Sequence, residues 1–204
     1  MKKINIVLRE LKAKIVTRKD LDSLANKYKF NKSSLRILLL NKGYLITIFR
    51  GVYYLRNYEE KKFNTIKYSP YELLSKGLEI KGVKKWYFGL NSAFKFLNLT
   101  HEVFPINFII NDKFNRIKPM KIAGTSFFFI KIKPSLFFGI TKIKTNNGIL
   151  LNHSDLEKTL LDLIYLKKNV DLKEYKFNKS ILTKYLNKYD TTTKRKVKEI
   201  IKWK

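Results

Sequence analysis

Chemistry needs side chains that move protons, attack carbon or hold metal, and this sequence offers few. Its only imidazoles are His101 and His153. There is no cysteine, which excludes disulfides, thiolate metal sites and cysteine nucleophiles. A metal site would then need both histidines plus carboxylates, and no HExxH or paired spacing supplies them. His153-Ser154-Asp155 contains the letters of a catalytic triad, but neighbours on a chain cannot form its hydrogen bonds. The same letters fit a helix start, with Ser154 as cap and Glu157 completing a capping box. A nuclease of the restriction-enzyme type needs an acid, then an acid-x-Lys on a neighbouring strand, to hold magnesium. Asp162 with Asp171-Leu172-Lys173 matches this in letters only, because Asp162 falls in a helical pattern. Neither GxxxxGKS/T nor GxGxxG occurs, so no phosphate-cradling loop is marked. The expectation is a protein that is not an enzyme, with no catalytic residue, no metal and no cofactor.

Charge is the stronger signal. Forty-four lysines and arginines face 16 acids, a formal charge of +28 and a pI near 10.1. Such a chain repels itself and attracts polyanions, nucleic acid first and an anionic membrane surface second. Residues 167–204 alone carry 13 basic residues against 4 acids, and residues 1–60 carry 14 against 5. The opening MKKINIVLRELKAK starts like a signal peptide, yet puts Arg9, Glu10 and Lys12 where an apolar core should run. No apolar window approaches the roughly 18 residues of a membrane span. The expected location is the cytoplasm, with no membrane partner.

Elements must position whatever binds. Residues 2–14 place Ile4, Val7, Leu8 and Leu11, and then Ile15, at three- and four-residue spacing, one face of an amphipathic helix. Thr17 can cap a second helix, with Asp20 reaching back, and Leu21, Leu24, Ala25 and Tyr28 form its stripe. Asn31 can cap a third from Lys32 to about Lys42, with Leu35, Leu38 and Leu39 inward and Gly43 as the stop. GYLITIFRGVYYL then reads as a hairpin with Arg50-Gly51 at its tip. Helix, helix, helix, hairpin is the order of a winged helix-turn-helix, in which the third helix enters the major groove with its first residues near base edges. Arg50 would meet phosphate or the minor groove. The same order also serves protein contacts.

A polar run from Asn57 to Ser69 marks the boundary, giving expected domains of 1–58 and 59–204. Ser69-Pro70 opens a helix to about Leu78. Strands are expected at 86–89, 106–112, 117–124, 126–133, 136–144 and 148–152, with a helix over 90–99. The 106–112 strand is apolar enough for burial on both faces. Leu156, Leu160, Leu163 and Ile164 stripe the helix that Ser154 opens, and two more helical patterns cover 178–189 and 192–203. The fold class expected is α+β: a winged helix, then a mixed α/β domain with a mostly antiparallel sheet and C-terminal helices.

This order of motifs resembles the AbiEi family of antitoxins from type IV toxin–antitoxin systems. RGVYYL is followed by YFGLNSAFKFLNLTHEVFPINFIIND, GTSFFFIKIKPSLFFGITKI and HSDLEKTLLDLIY, so that the likeness spans residues 15–166. The resemblance implies an N-terminal winged helix that binds inverted repeats in its own promoter and represses the operon. It also implies an α/β domain that counters an AbiEii-like nucleotidyltransferase toxin, directly or indirectly. Carried onto this chain, the DNA contacts fall on Lys32, Ser33, Ser34, Arg36 and Arg50, and Lys42 at the end of the third helix completes the candidate set. Glu157, Lys158 and Asp162 match the C-terminal signature and read structurally as a helix cap with surface charges. Two alternatives stay open: a nucleic-acid enzyme targeted by the winged helix, and an interaction protein that docks tRNA or the toxin on its lysine-rich C-terminal face.

Overall fold

The structure, a computed structural model, describes residues 2–11, 13–102 and 104–201. The fold is α+β. The chain divides into two compact units, residues 1–82 with 121–124, and residues 83–120 with 125–204.

The first unit begins with α1 (Lys2–Glu10), β1 (Ile15–Thr17), α2 (Arg18–Lys27) and α3 (Lys32–Asn41). The hairpin β2 (Leu45–Phe49) and β3 (Val52–Leu55) follows, then α4 (Tyr58–Lys62) and α5 (Pro70–Ile80). Caps set the helix starts. Thr17 and Asp20 form the expected reciprocal box at α2. The Asn31 side chain accepts from the Ser33 and Ser34 N–H groups at α3. Leu21, Ala25, Leu35 and Leu39 are buried with Val7, Val16, Leu45 and Tyr53 in one core. Phe49 pairs with Val52, so Arg50-Gly51 is a two-residue turn, and Gly51 at φ 81° supplies the left-handed backbone this needs.

Two expectations change here. The first helix stops at Glu10, and Ile15 pairs with Tyr54 in a three-stranded antiparallel sheet ordered β1-β3-β2. Ile15, Val16 and Thr17 are all β-branched, and β3 has a second edge to fill. Helical spacing alone cannot tell such a strand residue from one more turn of helix. The boundary at 58/59 falls inside this unit, which runs on to Gly82. The polar stretch is anchored by Glu60, whose carboxylate accepts from the Tyr54 hydroxyl, from Asn57 N–H at 2.8 Å, from Lys67 N–H at 2.9 Å and from Lys14 Nζ at 2.9 Å. α5 then buries Leu73, Leu74 and Leu78. A Cβ at Gly77 would meet Ile48 and Phe49 at 2.6–2.7 Å, so only glycine lets α5 lie this close to β2.

The second unit contains β4 (Trp86–Phe88), α6 (Asn91–Phe96) and β5 (Ile106–Asn111). After β6 (Met120–Ile122) come β7 (Thr125–Lys131), β8 (Ile140–Lys144) and β9 (Leu150–Ser154). Three helices close the chain: α7 (Leu156–Tyr165), α8 (Lys179–Leu186) and α9 (Thr191–Ile201). Within this unit the strand order runs β7-β5-β4-β9-β8. Antiparallel pairs predominate across the two sheets: β1/β3, β2/β3, β4/β5 and β8/β9, against parallel β5/β7 and β4/β9. The central β5 buries Asn107, Ile109, Ile110 and Asn111. Tyr87, Ile110, Leu160, Leu161, Leu182, Leu186 and Val197 share the core, so the C-terminal helices are part of the fold.

Several boundaries shift. β8 starts at Ile140 because Pro134–Leu136 forms a 3-10 turn first. Ser154 ends β9, and Asp155 is the cap of α7, accepting from Lys158 N–H at 2.8 Å. The 192–203 helix begins at Thr191, and its expected last two residues lie outside the described ones. Among the described residues no helix is long and apolar enough to cross a membrane.

Candidate nucleic-acid interface

Burying Leu35 and Leu39 turns the opposite face of α3 to solvent. Lys32, Ser33 and Ser34 are exposed on its first turn, and Arg36 is half-buried beside them. Ser33 donates both its N–H (3.0 Å) and its hydroxyl (2.6 Å) to Asn31 Oδ1. The hydroxyl oxygen keeps its acceptor capacity toward a ligand. One turn on from Ser33, Ile37 is 50% exposed on the same outward face. The sequence reading missed it, although its position off the Leu35/Leu39 stripe marks it. An outward isoleucine on such a helix offers apolar contact to a thymine methyl.

Beside this face lies a concave pocket of about 880 Å³, lined by Arg18, Lys19, Arg36, Arg50 and Lys81. One carboxylate, Asp22, also lines it and pairs with Arg18 at 3.4 Å. Arg18 and Lys19 are the first two residues of α2. Cations there oppose the helix dipole, at about 0.3–1 kcal/mol each, which a bound anion would reverse. That placement is the signal by which the sequence could have shown them. The main chain ties the parts together, since Arg18 N–H donates to the Gly51 carbonyl at 2.8 Å. The structure thus brings Arg36 and Arg50 into one pocket and adds Arg18, Lys19 and Lys81. Lys32, Ser33 and Ser34 stay on the adjoining first turn. Lys42 is exposed at the C-cap of α3, about six residues and roughly 9 Å along the axis from Arg36, and does not line the pocket.

The residues considered for catalysis have other occupations. Lys158 and Asp162 have no exposed surface and form a buried ion pair. Lys158 Nζ also donates to the Tyr189 hydroxyl at 2.8 Å, and Asp162 accepts from Tyr87 at 2.6 Å and Tyr189 at 2.7 Å. Tyr87, Phe138 and Tyr189 present ring faces 5.0–5.3 Å from the ammonium. Burial pushes the Lys158 pKa down against the pull of Asp162. Burial, with the Asp162 charge behind it, holds both tyrosines well above their ordinary value. The expectation of surface charges at Lys158 and Asp162 is therefore corrected. Four residues apart on α7, they pair on the helix face that the core covers. Glu157 stays nearer the surface and accepts from Asn178 N–H at 2.7 Å. Asp171 is exposed and caps a short 3-10 turn, accepting from Lys173 N–H at 3.0 Å, whereas Asp162 is fully buried. His153 is buried in β9 against Phe96, at a ring separation of 5.6 Å, and His101 is exposed in a loop. Among the described residues no group of three or more His, Asp and Glu side chains is placed to hold a metal.

Neither protein-family models nor curated proteins match this chain. Its fold is similar to that of the Rv2827c protein from Mycobacterium tuberculosis, with a TM-score of 0.55 over 99% of this chain and 77% of that one. Sequence identity between the two is 12%, so the likeness is one of fold.

Proposed function

We propose that the chain is a winged-helix DNA-binding protein of the AbiEi type, an autorepressor of its own operon and the antitoxin to an AbiEii-like nucleotidyltransferase. The observation that carries the DNA-binding reading is the gathering of Arg36 and Arg50 with Arg18 and Lys19 on one concave surface beside the exposed face of α3. α3 enters the major groove, where Arg36 and Ile37 meet base edges. Arg50 at the hairpin tip reaches the flanking backbone or minor groove, and Arg18 and Lys19 take phosphate. Its DNA is the inverted repeats of its own promoter, and its place is the cytoplasm. The antitoxin role is supported by the order of motifs from RGVYYL to EKTLLD, and by the fold of the second unit that carries most of them. The role is one of binding and not of catalysis.

The test is a titration of the purified protein against its own upstream DNA and a scrambled duplex at two salt concentrations. A preference of about 10³-fold or more is expected. Equal, steeply salt-dependent binding to both duplexes would mean that the +28 charge acts alone, and would overturn the repressor reading.

A further inference from the structure

The winged-helix order ends at Leu55, yet a later helix reaches its working surface. Lys81, the C-cap of α5, donates from Nζ to the carbonyl oxygen of Arg50 at 2.7 Å. Its side chain lines the same pocket as Arg18, Lys19, Arg36 and Arg50. An ammonium has three N–H donors, so one bond to Arg50 leaves two, and the full charge, for the pocket. The approach of α5 is fixed upstream by Gly77, whose missing Cβ lets the helix pack on Ile48 and Phe49, the two residues that lead into the turn. One helix therefore sets both the strand that carries the hairpin tip and the carbonyl at that tip.

We propose that α5 belongs to the nucleic-acid site, with Lys81 as a positioning residue that pins the wing tip and presents Arg50 while sharing a backbone phosphate of duplex DNA with it. The inference rests on the proposed DNA-binding reading and extends it to a residue outside the winged helix. Within the turn the Gly51 carbonyl is held by Arg18 N–H at 2.8 Å, and Lys81 holds the Arg50 carbonyl, the one next to the side chain that must be presented. Arg50 has a long, rotamer-rich side chain, and fixing its main chain lowers the ordering cost on binding. Five cations against one carboxylate make the pocket a seat for a sugar–phosphate segment. The single anionic charge of each phosphate is then divided between residues of α2, the turn and α5, with Arg36 of α3 at the side turned to the bases.

The experiment uses the full chain and a double-mutant cycle between Lys81→Met and Arg50→Ala, titrated against the upstream and scrambled duplexes at several salt concentrations. Lys81→Met keeps most of the stem and removes the charge and the donor at an exposed position, so folding is retained; a thermal melt confirms this. The log–log salt slope is expected to become shallower by about 1. Lys81→Met is further expected to weaken binding at least fivefold in the wild-type background and by a clearly smaller factor when Arg50 is already alanine. An unchanged slope, or effects that multiply to within about twofold, would overturn the proposal. The two readings fail separately. Loss of sequence preference by the wild-type protein overturns the repressor reading, whereas the coupling of Lys81 to Arg50 is read on either duplex.

Discussion

A lysine without exposed surface is an unstable proposition unless its charge is answered, and Lys158 is answered by Asp162, Tyr189 and three aromatic rings. Pairing in a dry interior offsets desolvation without making the pair a large net stabiliser. Breaking it from one side is costly, because the partner charge stays buried. Lys158→Met alone should therefore cost about 3–5 kcal/mol, and adding Asp162→Asn, which removes the orphaned charge but keeps an acceptor for the Tyr87 and Tyr189 hydroxyls, should recover most of that loss. Urea unfolding of the three proteins checks this, and a double variant worse than the single one would refute it. Residue identity could not announce this role. Lys158 and Asp162 stand four apart on an amphipathic helix, which is also the spacing of an ordinary surface pair. What decides is the arrival of Tyr87 from β4 and of Tyr189 from beyond α8, contacts separated from them by up to 75 residues. The places of Arg36 on α3 and of Arg50 in the hairpin turn were legible because cap, stripe and turn signals are local. Arg18, Lys19 and Lys81 join them only after the chain folds back.

At the scale of elements, the segment after the hairpin shows what local pattern hides. EEKK looks like a linker, and in the fold it is α4, held by one carboxylate with four partners. Burial works to raise the pKa of Glu60, and its hydrogen bonds from Tyr54, Asn57, Lys14 and Lys67 overcome this and hold it at about 2, below the ordinary 4.5. A carboxyl depressed on folding stabilises the protein above its unfolded value, and that stability is lost as pH falls from about 4.5 toward 2. The stability difference between wild type and Glu60→Gln should accordingly be full near neutrality and shrink through that window. A difference that does not vary with pH would count against the network. Helices α2 and α3 were legible to within a residue because Thr17 and Asn31 carry their caps in the sequence. β1 was not, since Ile15 extends the helical stripe of Ile4, Val7, Leu8 and Leu11, Thr17 doubles as the cap of α2, and the strand partners lie 35 or more residues on. Ser154 was misread as a cap because β9 ends on it, where its hydroxyl meets Thr159 at 2.7 Å.

For the whole molecule the question is how a charge of +28 divides between reading and holding. Removing residues 170–204 would not answer it, because Leu182, Leu186, Tyr189 and Val197 are core residues and Tyr189 also closes the Lys158 site. Such a truncation would unfold what it was meant to test. The exposed cations of the same segment, Lys179, Lys184, Lys188 and Lys198, can instead be replaced by glutamine with the core left intact. Lysine is a compact point charge that attracts phosphate without the planar fork that reads guanine. Charge of this kind raises affinity for every duplex alike and steepens the salt dependence by about 0.9 for each phosphate neutralised. The fourfold variant should therefore bind both upstream and scrambled DNA more weakly by one common factor, with a shallower slope and an unchanged preference between them. On the proposed DNA-binding reading Arg36→Ala should do the reverse, costing about 1–3 kcal/mol on the upstream site if it reads a guanine there, and much less on scrambled DNA. If the lysine variant loses preference as well as affinity, the second unit takes part in sequence reading. If its slope on both duplexes stays as steep as before, those lysines meet no DNA phosphate, and RNA or the proposed toxin becomes the partner to try on the C-terminal face.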